Sequence, residues 1–130
     1  MKKEPIECIQ LENGLTLQLF DKTRIVAGDR YRVVFMARIA FDLTPESFTE
    51  DLLGVGWTEL RKALGDQIVY KYENTRNFID ENKKEPVFED LKNQFLASNL
   101  VYLSKPDFAA KLIRRKYHQT KNFTPSWLRI

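Results

Sequence analysis

Arg30-Tyr-Arg-Val-Val-Phe-Met-Ala-Arg-Ile-Ala-Phe41 is the stretch whose reading decides the fold. Side chains along a strand alternate between two faces. Tyr31, Val33, Phe35, Ala37, Ile39 and Phe41 therefore share one face, and Arg30, Arg32, Val34, Met36, Arg38 and Ala40 share the other. The first set is apolar throughout and belongs in a core. The second is mixed, which suits a face covered in its middle and wet at its ends.

Upstream of it, Ile6–Leu11 and Leu15–Asp21 flank Glu12-Asn13-Gly14, and Leu15, Leu17 and Leu19 alternate with Thr16 and Gln18. That is a hairpin with one buried face, and Gly14 suits the left-handed position of a three-residue turn. Lys22–Asp29, ending in Gly28-Asp29, reads as a loop.

Downstream, Thr44-Pro45-Glu46 has the residues of a helix start. Apolar residues at helical spacing follow as far as Gly65, but Gly54 and Gly56 each disfavour a helix interior by about 1 kcal/mol. Two shorter helices or one bent helix are expected there. Gln67–Asn74 alternates again and is read as a strand that can run on to Phe78-Ile79. Asp80–Glu85 reads as a loop, and Pro86 as the start of a helix carrying Phe88, Leu91, Phe95 and Leu96. Leu100–Leu103 either extends that helix or forms a short strand. Ser104–Asp107 supplies capping residues for a last helix with Phe108, Ala109, Leu112, Ile113 and Tyr117 as its apolar stripe.

The fold class expected is α+β: an antiparallel sheet of about four strands, starting with the amino-terminal hairpin and packed against three or four helices. The 130 residues have neither an internal repeat nor a low-complexity tract. A single domain is expected over residues 1–121, with 122–130 as an apolar tail packing on the domain or on a partner.

Composition limits the function classes. Met1-Lys-Lys-Glu-Pro-Ile-Glu7 places charge and proline where an export signal needs an apolar run, and no stretch approaches the roughly 18 apolar residues of a membrane helix. One cysteine, Cys8, permits no internal disulfide, so a cytoplasmic, reducing setting is expected. One cysteine and one histidine, His118, are too few for the usual zinc cluster. A Cys8–His118 dyad has composition alone behind it, and Cys8 is expected as a small buried residue of a strand. Glu50-Asp51, Asp80-Glu81 and Glu89-Asp90 are adjacent pairs that diverge on a regular element and read as solvated surface. Leu53-Gly-Val-Gly-Trp57 lacks both the third glycine of a dinucleotide fingerprint and the Lys-Ser/Thr of a phosphate loop. No cofactor is expected.

Two surface features remain. Residues 104–130 carry Lys105, Lys111, Arg114, Arg115, Lys116, Lys121 and Arg129 against Asp107 alone, whereas the preceding 103 residues hold more acid than base. Such asymmetry steers an acidic partner to one end, or docks the segment on its own acidic remainder. The tail carries Phe123, Trp127, Leu128 and Ile130, four large apolar groups that need cover from the same chain, a second copy or another protein. The strand arginines Arg30, Arg32 and Arg38 lack the stacking rings of a single-stranded RNA platform and are expected to pair across strands with Glu and Asp. The function expected is a non-enzymatic binding module acting by protein–protein contact or self-association through Phe123, Trp127, Leu128 and Ile130. The alternative is nucleic-acid binding through Lys111, Arg114, Arg115, Lys116 and Lys121.

Overall fold

The computed structural model describes residues 4–44 and 56–121. Its element order is β1 (Glu7–Gln10), β2 (Thr16–Asp21), β3 (Arg24–Ala27), β4 (Arg30–Asp42), α1 (Trp57–Leu64), β5 (Gln67–Asp80), a 3-10 turn (Glu81–Lys83), α2 (Lys84–Leu103) and α3 (Phe108–Lys121). The fold is α+β, with a five-stranded sheet. The chain forms two compact units, Met1–Ile39 with Val69–Lys105 and Ala40–Ile68 with Pro106–Ile130.

In the first unit β1 and β2 form the hairpin, in the register Glu7↔Leu19 to Gln10↔Thr16. The turn is closed by Leu11 N–H donating to Leu15 O at 2.8 Å, and Gly14 has φ +90°, a region that glycine enters at no steric cost. β4 is the shared strand: β2, β3 and β5 all pair with it. β2 lies opposite Phe35–Arg38 and β3 opposite Arg30–Arg32, both antiparallel. Only Lys22 and Thr23 separate β2 from β3, and Lys22 N–H still donates to Val34 O at 3.0 Å. β3 therefore continues the line of β2 along the same edge of β4. The sequence reading of Lys22–Asp29 as a loop is corrected here: Arg24–Ala27 is a strand, too short to show alternation and set by pairing with β4.

β4 buries both faces over Val33–Ala37, as its mixed middle foreshadowed. Phe35 is fully buried and meets the rings of Phe88 and Phe95 on α2 at centroid distances of 5.8 and 5.4 Å, and Tyr72 on β5 at 6.3 Å. Phe88, Leu91, Phe95 and Leu103 are the buried residues of α2. The helix begins at Lys84, two residues before Pro86, and runs on through Leu100–Leu103, so the strand alternative for that segment falls. β5 extends through Phe78-Ile79 to Asp80.

Asn13, in the hairpin turn, makes a tie that local patterns do not reveal. Its Nδ2 donates to Leu103 O at 2.8 Å and to Lys105 O at 2.9 Å, while Oδ1 accepts from Leu15 N–H at 3.1 Å. The last carbonyls of a helix lack intrahelical donors, and here the turn supplies one to Leu103 and a second to Lys105 just beyond the helix. Each such bond contributes about 1 kcal/mol net.

Cys8 is exposed, which corrects the expectation of a small buried residue. Among the described residues β1 pairs with β2 alone, and Cys8 lies opposite Gln18, itself opposite Arg38. The alternation that buries Leu17 and Leu19 is thus not matched on β1.

In the second unit α1 starts after Gly56 and stops at Gly65, whose φ of +81° lets its N–H turn back to Arg61 O at 2.7 Å. The helical reading up to Gly65 thus holds over Trp57–Leu64, and its earlier part lies outside the described residues. Arg61 pairs with Asp66 at 2.8 Å, and Leu43 N–H donates to Asp66 O at 2.8 Å. Leu43, Leu60, Ile68, Phe108, Leu112, Ile113 and Tyr117 are the buried apolar residues described here.

Candidate functional site

α3 is amphipathic because its apolar residues recur at helical spacing: Phe108, Leu112, Ile113 and Tyr117 are buried. Lys111 N–H donates to Asp107 O at 3.0 Å as the helix opens. Tyr117 fixes it to α1, its hydroxyl donating to Glu59 Oε1 at 3.1 Å.

The opposite face carries Lys111, Arg114, Arg115 and His118, all exposed and spaced i, i+3, i+4, i+7, so they form one stripe. At 1.5 Å rise per residue the stripe is about 10 Å long. Lys111 pairs with Asp107, one turn back, at 3.1 Å. Among the described residues Arg114, Arg115 and Lys116 form no ion pair. Lys116 is half-buried beside the stripe, and Lys121 is the last residue of the helix. His118 is exposed, and its ring meets that of Tyr117 edge-on at 6.3 Å. The structure thus brings Lys111, Arg114 and Arg115 together on one surface.

The strand arginines pair across strands. Arg30 forms an ion pair with Asp80, Arg32 Nε donates to Asn77 Oδ1 at 3.1 Å, and Arg38 Nη1 donates to Gln18 Oε1 at 3.1 Å. The expected carboxylate partner is thus found for Arg30, whereas Arg32 and Arg38 are corrected to amide partners. Tyr31 is covered by Lys84 Nζ, 4.3 Å from the ring centroid. Phe78 stands 74% exposed with φ +57°, between the positions held by Arg32 and Arg30.

A groove of about 570 Å³ opens on the Val34 face of β4, lined by Asp21, Lys22, Thr23, Arg24, Arg32, Val34, Glu73 and Thr75. The sequence pattern does not show it, because Arg24 falls in a segment that reads as a loop. The signal available was the pair Ile25-Val26, whose β-branched side chains favour a strand.

Phe123, Trp127, Leu128 and Ile130 lie outside the described residues, as do Gly54 of the glycine-containing turn and the pair Glu50-Asp51. Glu89 and Asp90 diverge as expected, Glu89 towards Lys92 at 3.2 Å and Asp90 towards Gln94 at 2.9 Å. Among the described residues no three of His, Cys, Asp and Glu gather as metal ligands, and no helix is long and apolar enough to cross a membrane. Comparison of the chain with protein-family models, with curated proteins and with solved structures gives no match.

Proposed function

We propose that this protein is a binding module that holds a nucleic acid on the exposed face of α3. The observation that carries the reading is Arg114 and Arg115, side by side on that face, exposed and without an ion pair among the described residues. Phosphate is a natural counter-charge for such a stripe, because a guanidinium offers two parallel donors to an oxyanion. Release of counterions then drives association.

Titration of labelled DNA and RNA oligonucleotides at about 50 mM and about 200 mM salt tests it. The expected result is binding that weakens steeply with salt. The double variant Arg114→Gln/Arg115→Gln is expected to flatten the log–log salt slope by about 1.4–1.8, the share of two phosphate contacts. No binding by the intact protein at low salt sinks the reading.

A second reading is protein docking or self-association through Phe123, Trp127, Leu128 and Ile130. It is supported by four large apolar side chains within eight residues of sequence, Trp being a preferred interface anchor. Solution mass is then expected to rise with concentration, and to stop doing so once residues 122–130 are deleted from a chain that stays folded. A monomer at every concentration, unfolded by that deletion, removes this reading.

A further inference from the structure

We propose that the groove on the Val34 face of the sheet binds a compact small molecule through an oxyanion group, held between Arg24 and Arg32.

The register places these side chains together. Lys22 N–H bonds to Val34 O, and two residues along the same ladder Arg24 lies directly opposite Arg32. Residues opposite each other in an antiparallel pair share a face, so Lys22, Arg24, Arg32 and Val34 all project to one side. On β5, the bond from Arg32 to Asn77 marks the positions that share this face, and Glu73 and Thr75 line the groove from there.

Directly opposed like charges are unfavourable in a sheet. Neither guanidinium forms an ion pair among the described residues, although Asp21 and Glu73 both line the groove. Asp21 Oδ1 instead accepts from Thr23 N–H at 2.9 Å and shapes the break between β2 and β3. Arg32 is held through Nε, which leaves its two terminal nitrogens as an oriented fork for a phosphate or carboxylate. Val34, 6% exposed, contributes apolar surface.

The two carboxylates select against a long polyanion and favour a ligand with one concentrated negative group. The volume falls within the range of about 300–1,000 Å³ typical of small-molecule sites. The groove therefore differs in chemistry from the α3 stripe, where Asp107 pairs with Lys111 and, among the described residues, Arg114 and Arg115 form no ion pair.

The test uses the intact protein with inorganic phosphate and with malonate, each against chloride at matched ionic strength. A thermal midpoint raised by several degrees near saturation is expected with at least one of the two. A rise with phosphate alone assigns a phosphoryl group, with malonate alone a carboxylate, and with both an unselective oxyanion site. The rise is expected to vanish in Arg24→Gln and in Arg32→Gln, and to persist in Arg114→Gln/Arg115→Gln. Without added anion, Arg24→Gln is expected to be at least as stable as the parent, since it relieves like-charge repulsion. Should Arg32→Gln fail to fold, amide shift changes at Lys22–Val34 and Glu73–Asn77 in the unaltered protein report the same site. An equal rise in chloride, a rise untouched by Arg24→Gln, or no shift changes in those segments overturns the proposal.

Discussion

Replacing Phe35 with alanine is expected to lower the unfolding free energy by about 3–5 kcal/mol, the range for removing a buried aromatic side chain. Phe35 is fully buried at the centre of β4, where Phe88, Phe95 and Tyr72 surround it, and Tyr72 and Phe95 are themselves 4.6 Å apart. Alanine would leave a void that these rings can fill only by leaving their own packing positions. The tilted and edge-on geometries add about 0.5–1.5 kcal/mol per aromatic pair beyond burial. Against a total stability of about 5–15 kcal/mol, the urea midpoint should fall by about a fifth or more with its slope unchanged. A loss under about 1.5 kcal/mol, the size of a tolerated volume-conserving swap, would show that Phe35 is not the keystone of this core.

Tyr117 carries the second large effect. It is 4% exposed on the buried face of α3, and its hydroxyl reaches Glu59 on α1. Tyr117→Ala is expected to cost about 3–5 kcal/mol by analogy with other buried rings. Tyr117→Phe keeps the ring and loses the hydroxyl, and Glu59 is exposed, so no buried group is stranded. About 0.5–1.5 kcal/mol is expected for that change. Denaturation of the pair separates the ring from the bond: equal losses would place the stabilisation in the hydroxyl. The pair also bears on function. Under the nucleic-acid reading Tyr117→Phe keeps affinity, because Arg114 and Arg115 stay in place, and Tyr117→Ala loses it as α3 comes away.

Much of the architecture was legible in the order of residues. Alternation in Arg30–Phe41 and around Leu17 and Leu19 named two strands and their buried faces, because a strand repeats every two residues whatever lies beside it. The 3.6-residue period did the same for α3, whose buried Phe108, Leu112, Ile113 and Tyr117 and exposed Lys111, Arg114 and Arg115 lie where the pattern puts them. The candidate stripe was therefore readable in advance, being local to a single helix.

The groove was not. Arg24 and Arg32 meet only through the register of β3 on β4, and no local pattern specifies which residue of one strand faces which residue of another. Asn13 and Leu103 are 90 positions apart, and Cys8 is exposed on a strand that, among the described residues, pairs with β2 alone. By itself the sequence determined periodicities: which elements form, which faces are apolar and where positive charge collects. Tertiary structure decided the pairings, which set where arginines find partners and where two of them stand opposed. The physical reason is range: periodicity is fixed by backbone geometry within a few residues, whereas partners across strands follow from how the chain closes on itself.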